Sequence, residues 1–321
     1  MKKNNYPLLI LNILFFSFFS CVLPQTQKAK IAVTMDDLPL QRIEHFENYK
    51  YQKIFGKLVK NIKSQHIPVI GFVNESKLQV NGEYDIRRII LLKKWLNAGL
   101  DLGNHTFSHP SLHSIPIEKF EEEILKGETI TRELLNQNKK QLRYFRHPYL
   151  QTGKSLEIKN AVEKFLSEHN YTIAPVTIDN SEWIFASAYD KAIDSNKTEV
   201  MKQIGIEYIN YMKRRIEYWE GQSTALFGRN INHVLLIHAN TLNAEYFPEL
   251  CKMIRSINYK FVSLDETLQD EAYKSKDTFT GNGGISWIHR WAITQGKTKN
   301  FFGDEPLAPK FIMRYAGLDS E

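Results

Sequence analysis

Short apolar runs rich in β-forming residues alternate with longer amphipathic stretches along most of this chain. Strands that are separated by helices indicate β-α-β units and therefore a parallel sheet. Polar residues follow many different strands, which favours a barrel with its chemistry at the C-terminal strand ends over an open doubly wound sheet. We expect an α/β fold with these candidate strands: Ile31–Met35, Pro68–Val73, Leu100–Gly103, Leu142–Phe145, Tyr171–Ile178, His233–Ile237 and Tyr259–Val262.

The stretches between these strands have the spacing of amphipathic helices. Helices are predicted at His45–Gln65, Asp85–Asn97, Pro116–Gln137, Gly153–Glu168 and Ala244–Ser256. A longer helix is predicted at Asn196–Glu220, with Ser195 as its N-cap, inside an insertion at 187–230 that covers the barrel. The barrel itself is expected to occupy residues 30–270.

Residues 271–321 form a predicted C-terminal extension that packs on the barrel. Its glycine-rich stretch, Thr280–Gly284, lacks a following helix and a Lys-Ser/Thr pair, so we expect turns and not a phosphate loop. Trp287 and Trp291 are spaced i, i+4. They can either stack on sugar rings or pack the extension onto the barrel, and we favour packing.

The first residues have the pattern of an export signal, which we place at residues 1–23. Lys2 and Lys3 precede an apolar run from Leu8 to Phe19 that is short for a membrane span. An N-terminal membrane anchor is the alternative. Phe18-Phe19-Ser20-Cys21 resembles a loose lipoprotein signal, so membrane attachment through a lipidated Cys21 is left open. The chain is therefore expected in the periplasm, the cell envelope or the extracellular space.

Composition describes an ordinary folded protein. Of the 321 residues, 42% are hydrophobic and 24% are charged. The formal net charge of +6 is mild, and no dense block of Lys and Arg is present. Nucleic acid is therefore not an expected partner.

Two histidines follow the third candidate strand. His105 and His109 are spaced i, i+4, so one turn or a tight loop would place both imidazoles on one side. Pro110 favours a loop, and Thr106 in place of Glu excludes the zinc-protease helix motif. An isolated pair of this kind is usually structural, and we interpret the nearby His113 as structural.

Two adjacent carboxylates, Asp36 and Asp37, end the first candidate strand. Strand alternation points them in different directions, so one can bind a metal while the other acts as a base. Two histidines and one carboxylate are a common catalytic zinc set that leaves a coordination position open. The alternative is a solvated pair that opens a turn before Pro39.

Arg146 and His238 also follow apolar strands. An arginine beside a carboxylate favours its ionised form, which makes Arg146 a natural partner for Asp36. A surface salt bridge is the alternative for Arg146, and a buried structural histidine is the alternative for His238.

Taken in order, these segments resemble the five motifs of the NodB-type polysaccharide deacetylases, carbohydrate esterase family 4. Leu150 replaces a frequent Gly after the third motif, and Glu182 replaces the second Asp of the fourth motif, D-x-x-D-W. The matching segments are Thr34–Asp37, His105–Pro110, Arg146–Tyr149, Asp179–Trp183 and Leu236–His238. The resemblance implies the distorted (β/α)7–8 barrel of that family.

The resemblance also implies a role for each matching residue. Asp37, His105 and His109 would bind a divalent metal, with zinc favoured and cobalt, nickel or manganese as alternatives. Asp36 would be the general base, and Arg146 would hold it. His238 would protonate the leaving amine, with Asp179 to orient it, but Glu182 in the place of the family's Asp leaves open which acid contacts Arg146 or His238. The backbone N–H of Tyr149 would stabilise the oxyanion, and Trp183 would form a wall of the acetyl pocket.

The predicted function is removal of N-acetyl groups from an N-acetylhexosamine-containing polysaccharide of the cell envelope or extracellular space. The same site acting on a small amide or on O-acetyl esters is the alternative. A non-haem iron oxygenase would use a similar ligand set, but the base Asp36 and the acid His238 argue against it. The intact site also argues against a glycan-binding protein without activity.

Overall fold

The computed structural model describes Met1, Lys3 and residues 29–320. Apart from Met1 and Lys3, the predicted export signal lies outside the described residues, and so does Cys21. The export signal and the lipidation of Cys21 therefore stay predictions. Within residues 29–320, the strands are β1 (Ala29–Leu38), β2 (Val69–Val73), β3 (Gln79–Val80), β4 (Glu83–Tyr84), β5 (Asp101–Asn104), β6 (Tyr144–Phe145), β7 (Thr172–Ile173), β8 (His233–His238) and β9 (Tyr259–Phe261).

Seven of these strands form one parallel sheet that curls into a distorted barrel, as the sequence predicts. The order is β7-β6-β5-β2-β1-β8, and β9 pairs with the first residues of β1, Ala29–Ile31, on the edge opposite β8. A bridge between Ile178 and Leu235 joins the segment after β7 to β8 across the remaining gap. β3 and β4 form a separate antiparallel hairpin that the sequence analysis did not predict.

Helices lie between the strands and bury apolar residues at helical spacing. They are α1 (Asn48–Ser64), α2 (Ile86–Asn97), α3 (Ile117–Lys126), α4 (Thr129–Gln137), α5 (Leu156–Glu168), α6 (Glu182–Asp194), α7 (Thr198–Phe227), α8 (Thr241–Ser256), α9 (Leu264–Thr267), α10 (Trp287–Thr294) and α11 (Lys310–Ala316). None of the described helices is both long and apolar enough to span a membrane.

The predicted helix Pro116–Gln137 is two helices, α3 and α4, which meet at Gly127. A Cβ atom at Gly127 would lie 2.5 Å from the carbonyl carbon of Thr106. Glycine therefore lets this junction contact the backbone of the loop that carries His105 and His109. The Gly127 N–H donates to the Glu123 carbonyl at 3.0 Å, which ends α3.

The insertion consists of α6 and α7, which pack against each other and against α8. The predicted insertion boundary at residue 187 falls inside α6, a helix that the sequence analysis missed. The N-cap prediction is wrong: Lys197 precedes α7, whereas Ser195 ends α6 and donates its hydroxyl to the Lys191 carbonyl at 2.8 Å. Ser195 fits this position because a serine hydroxyl readily bonds a backbone carbonyl one turn back.

Residues of the C-terminal extension pack on the barrel. Trp287 and Trp291 in α10 are 7% and 1% exposed, which leaves no ring face free to stack on a sugar. The Trp291 ring contacts the rings of Phe227 and Tyr273 edge-on. The packing interpretation of the two tryptophans therefore holds.

Candidate active site

A cavity of about 510 Å³ opens at the C-terminal ends of the parallel strands. It brings together most of the residues that the sequence analysis singled out, from segments that are far apart in the chain. Arg146 lies next to this cavity and is fully buried against Asp36. The predicted residues that line the cavity are Asp36, Asp37, His105, His109, Tyr149, Asp179, Trp183 and His238.

A break in strand register separates the two aspartates. Asp36 stays in register with His238 on the neighbouring strand β8, so these two side chains start from adjacent backbone positions. The register between β1 and β2 then shifts between Met35 and Leu38, and Asp37 takes a left-handed φ of 68°. A bulge of this kind re-aims a side chain. Asp37 consequently faces a different group of residues from Asp36.

Asp37, His105 and His109 form a cluster in which one ligand atom from each lies within 4.8 Å of the others. The Nδ1–H of His105 donates to the Arg146 carbonyl at 2.7 Å, which leaves Nε2 as the nitrogen that could bind a metal. Burial lowers the pKa of both histidines and favours the neutral imidazole that binds metals. The donor set and its protonation therefore fit a zinc-type ion.

Lys77 is a charged neighbour of this cluster that the sequence analysis missed. Its Nζ lies 3.1 Å from Oδ1 of Asp37. Burial alone would raise the pKa of Asp37, but the charges of Lys77 and the nearby histidines lower it well below its usual range. Asp37 is thus held ionised, as a metal ligand must be. Lys77 lies in a 3₁₀ turn after β2, and no sequence pattern marks it.

Asp36 is buried, and its Oδ1 has no hydrogen-bond partner among the described residues. Burial raises the pKa of Asp36 to about 6, against the opposing effect of Arg146 and His238. Arg146 lies 3.7 Å away, as an ion pair and not as the bidentate pair that Arg and carboxylates can form. It donates instead to Thr34 Oγ1 at 2.8 Å and places its guanidinium over the Phe72 ring.

Of the two acids that the sequence left open as partners of His238, the structure places Glu182, and not Asp179, against the imidazole Nδ1. The Nδ1–H of His238 donates to Oε2 of Glu182 at 2.8 Å, and Glu182 is fully buried. Oε1 of Glu182 accepts from Asn240 and Asn243 at 2.5 and 2.7 Å. The extra methylene of Glu lets its carboxylate reach the imidazole from the first turn of α6.

This arrangement changes the protonation of His238. Burial alone would lower its pKa, but the hydrogen bond and charge of Glu182 outweigh burial and raise the pKa to about 9. The imidazole is therefore protonated near neutral pH. It can donate a proton from Nε2 into the cavity while Nδ1 stays bonded to Glu182.

Asp179 is held through its backbone by the insertion helix α7. Its carbonyl accepts from Arg215 Nη2 at 2.6 Å and from Trp219 Nε1 at 2.8 Å. Burial raises the pKa of its carboxyl group to about 6. The same helix supplies the Tyr211 hydroxyl, which accepts from the Ser181 N–H at 2.8 Å. The insertion thus fixes the backbone that leads into Glu182.

Aromatic side chains border the cavity at its solvent side. Tyr149 is 56% exposed and Trp183 is 43% exposed, although both line the cavity. The Tyr149 ring contacts the His109 ring edge-on, with centroids 4.5 Å apart. Both side chains therefore present apolar surface to a ligand that enters beside the His109 cluster.

Residues with left-handed backbone conformations are concentrated in this site. Besides Asp37, four non-glycine residues of the site loops have positive φ: Thr106 (66°), His109 (61°), Tyr149 (54°) and Leu150 (53°). Such conformations are unfavourable for residues with a Cβ atom and persist where the surrounding structure holds them. They explain why strand and helix periodicity did not predict how these loops turn.

His147 is a second residue that the sequence analysis passed over. It lines the cavity, is 1% exposed, and neither ring nitrogen has a hydrogen-bond partner within the described residues. Its ring lies edge-on to Phe145 and is stacked on Phe120. Burial holds the pKa of His147 well below its usual range. It is therefore a neutral packing residue in the wall.

Comparison with known proteins connects this site to a family. The polysaccharide deacetylase family model matches residues 24–174, which include the first three motifs and end before Asp179. The chain is 27% identical over 161 residues to a peptidoglycan-N-acetylglucosamine deacetylase of Bacillus cereus. That match covers 50% of this chain and 49% of the relative, so the chain matches about half of the relative's length. These matches confirm the resemblance to NodB-type polysaccharide deacetylases.

Solved structures of carbohydrate esterase family 4 are also similar. A family 4 carbohydrate esterase from Bacillus anthracis has a TM-score of 0.46 and 19% identity, over 75% of this chain and 83% of its own. A peptidoglycan deacetylase from Bacillus subtilis has a TM-score of 0.47 and 17% identity, over 75% of this chain and 92% of its own. A family 4 pseudoenzyme from Bacillus anthracis has a TM-score of 0.47 and 12% identity, over 75% of this chain and 66% of its own. At this level of similarity, neither fold nor function follows from these neighbours.

Proposed function

We propose that this protein is a metal-dependent deacetylase that removes N-acetyl groups from an N-acetylhexosamine-containing polysaccharide of the cell envelope or extracellular space. The observation that carries the proposal is the pairing of Asp36 with His238 on adjacent strands, beside the cluster of Asp37, His105 and His109. Amide hydrolysis needs a base for water, a stabilised oxyanion and an acid for the leaving amine. One cavity holds candidates for all three.

Asp37, His105 and His109 would hold the metal. Their mix of one carboxylate and two imidazoles favours zinc, with cobalt, nickel and manganese as alternatives. A divalent ion bound there would supply Lewis-acid chemistry to polarise the acetyl carbonyl. His105 and Asp37 are oriented for this by the Arg146 carbonyl and by Lys77.

Asp36 acts as the general base in this proposal. Its Oδ1, which has no hydrogen-bond partner within residues 29–320, can accept the proton of an attacking water molecule. Arg146, at 3.7 Å, favours the ionised form of the carboxylate without occupying that oxygen. The base is therefore available near neutral pH although it is buried.

His238 acts as the general acid. Its protonated imidazole donates from Nε2 to the amine nitrogen as the C–N bond breaks, so the amine leaves as a neutral group. Glu182 keeps the ring oriented and charged until that step. Asp179 adds a second carboxyl group to this side of the cavity.

Tyr149 and Trp183 would contact the substrate. The backbone N–H of Tyr149 would donate to the developing oxyanion, and the Trp183 ring would bound the acetyl methyl group. The exposure of both side chains places the cavity mouth at the protein surface. This supports a polymeric substrate whose sugar rings extend beyond the cavity, over the alternative of a small amide or an O-acetyl ester.

The first residues support a location outside the cytoplasm. The basic start and the apolar run from Leu8 to Phe19 are typical of an export signal. An acetylated envelope glycan would be accessible there, and Cys21 would offer a lipid attachment point. Lipidation is tested by comparing the gel mobility of the wild-type protein with and without globomycin, and with that of Cys21→Ser. A mobility shift that both globomycin and Cys21→Ser abolish would establish lipidation, and an unchanged mobility would exclude it.

A substrate panel tests the proposed function. The purified protein is incubated with N-acetylated glycan oligomers, with the free N-acetylhexosamine and with O-acetyl esters, and acetate is measured. We expect the oligomers to have the highest kcat/KM, and Asp36→Asn protein to be the inactive control. Acetate release from the esters or the monosaccharide alone would support the alternative, and none from any substrate would refute a deacetylase.

A further inference from the structure

Part of the C-terminal extension, residues 277–291, reaches back to the active-site cavity. This segment lies beyond the residues that match the family model. It is anchored to the chain that follows β7: Ser286 Oγ donates to the Thr177 carbonyl at 2.9 Å, and the Trp287 N–H donates to the Val176 carbonyl at 2.8 Å. From this anchor the segment places Gly284 in the cavity wall.

Gly284 lies directly against the backbone of the Tyr149–Leu150 turn. A Cβ atom at Gly284 would lie 1.7 Å from the Tyr149 carbonyl oxygen and 2.8 Å from the Leu150 Cβ. Only glycine lets the two backbones approach this closely. The contact falls on the two consecutive residues whose left-handed conformations need support from their surroundings.

Arg290 forms a second connection to the same turn. It is fully buried and is paired with Asp277 at 3.0 Å. Its guanidinium donates to the Leu150 carbonyl at 3.4 Å and also to the Thr152 hydroxyl. A buried guanidinium with these partners fixes the end of the turn and the residues that follow it.

His113 forms a third connection. Its Nδ1–H donates to the Asn282 carbonyl at 3.1 Å, and its Nε2 accepts from the Gly153 N–H at 3.3 Å. The imidazole therefore bridges the 277–291 segment to the loop that follows Tyr149–Leu150. Its sequence interpretation as a structural residue agrees with this contact.

We propose that residues 277–291 are a clamp that holds the Tyr149–Leu150 turn in its active conformation, with Gly284 as a positioning residue for the deacetylation reaction. This inference rests on the proposed function, in which the Tyr149 N–H stabilises the oxyanion. The direction of that N–H depends on the local backbone dihedrals, and a donor helps only if it is already aimed at the oxyanion. Relaxation of the turn would therefore affect turnover more than substrate or metal binding.

Gly284→Ala tests the clamp, and Gly283→Ala is the matched control. A Cβ atom at Gly283 would meet no atom of the described part of the chain within 4 Å, whereas one at Gly284 would displace Tyr149. For Gly284→Ala we expect kcat to fall by about 10–100-fold, the order of magnitude for a displaced catalytic donor. The zinc affinity measured by calorimetry should stay near wild type, KM should change less than kcat, and Gly283→Ala should retain full kcat.

Three results would overturn the clamp: wild-type kcat in Gly284→Ala, an equal loss in Gly283→Ala, or a loss that comes with weakened zinc affinity. If Gly284→Ala does not fold, Thr152→Val removes the hydroxyl that Arg290 bonds while keeping the side-chain shape. A lowered kcat, measured well below the melting temperature of the variant, is then expected, and an unchanged kcat contradicts the proposal.

A crystal structure of Gly284→Ala separates this inference from the proposed function. We expect the Tyr149 φ to leave the left-handed region in this variant and to stay there in Gly283→Ala. If the wild-type protein releases no acetate, the proposed function fails while the crystal structures still decide whether Gly284 holds the turn. An unchanged Tyr149 conformation would refute the clamp even in an active deacetylase.

Discussion

Asp36 and Asp37 are sequence neighbours with opposite electrostatic surroundings. The pKa of Asp37 is carried well below its usual range by Lys77 and the histidines, whereas burial raises the pKa of Asp36 to about 6. A strongly ionised carboxylate suits a metal ligand, and one with a raised pKa suits a base. The bulge in β1 creates this difference by turning the two side chains apart.

Asp36→Asn tests the assignment of the base. Asn has nearly the same shape but cannot accept a proton, and the three candidate ligands are untouched. We expect kcat to fall by about 10²–10⁴-fold while the protein keeps its metal. Metal content by inductively coupled plasma spectrometry and acetate release measure the two effects. Loss of both together would identify Asp36 as a ligand.

Glu182→Gln tests the general acid through its pH dependence. The pKa of His238 is raised to about 9, so its protonated form is present below that pH and is lost as the pH rises through it. Removing the Glu182 charge should move the basic limb of the kcat/KM profile down by about 1–2 pH units. An unshifted basic limb would show that His238 does not set it. His238→Ala should remove that limb and leave zinc affinity near wild type.

The inserted helix α7 acts on the site by holding the backbone of Asp179. Arg215 and Trp219 both donate to the Asp179 carbonyl, and no cavity-lining side chain comes from α7 itself. The helix thus stabilises the segment from Asp179 to Glu182 and leaves the cavity open. Glu305 pairs with Arg215 at 2.5 Å and connects this support to the C-terminal extension.

Trp219→Phe tests this support. Phe keeps an aromatic ring in the buried position but removes one donor to the Asp179 carbonyl. We expect the free energy of unfolding to fall by roughly 1–3 kcal/mol, from the lost hydrogen bond and the smaller ring. Urea denaturation measures this change, with kcat/KM as a second readout. A variant as stable as wild type would show that Arg215 alone holds the carbonyl.

The sequence predicted the main elements because their periodicity is strong. The seven sheet strands and the helices that cover them follow from apolar runs and amphipathic stretches. Helix α6 was missed because its residues are buried on several sides, so it lacks a clear polar face. The break between α3 and α4 depends on a contact of Gly127 with Thr106, which no local pattern contains.

The candidate site was predictable to the extent that its residues follow strands. The ends of parallel strands meet at one face, which places Asp36, His105, Arg146 and His238 together. Contacts between segments that are remote in sequence and do not follow strands were not predictable. Lys77 and Gly284 come from a turn and from the extension, and only the tertiary structure brings them to the cavity.

For the whole molecule, a ligand that joins segments remote in sequence should also stabilise the fold. Asp37 belongs to β1, whereas His105 and His109 belong to the loop after β5, so a bound ion would connect two parts of the barrel. Binding to the folded state alone contributes about 2.7 kcal/mol at 100 times Kd and about 4.1 kcal/mol at 1,000 times Kd. Zinc should therefore raise the melting temperature of the protein.

Differential scanning calorimetry with zinc and with a chelator measures this stabilisation. We expect zinc to raise the melting temperature of wild type and not that of His109→Ala, which lacks one of the three proposed ligands. The control His113→Ala changes a histidine that lies outside the cluster. It should retain the response to zinc. An equal response in wild type and His109→Ala would place the stabilising metal elsewhere.

Metal-titrated acetate release tests the central claim most directly. The protein is stripped with chelator, zinc is added back in known amounts, and acetate released from an N-acetylated glycan oligomer is measured for wild type and Asp36→Asn. We expect the stripped protein to release no acetate. Acetate release by wild type should recover and saturate at one zinc per chain, whereas Asp36→Asn should bind zinc without releasing acetate. Full acetate release by metal-free wild type, or by zinc-loaded Asp36→Asn, would contradict the central claim.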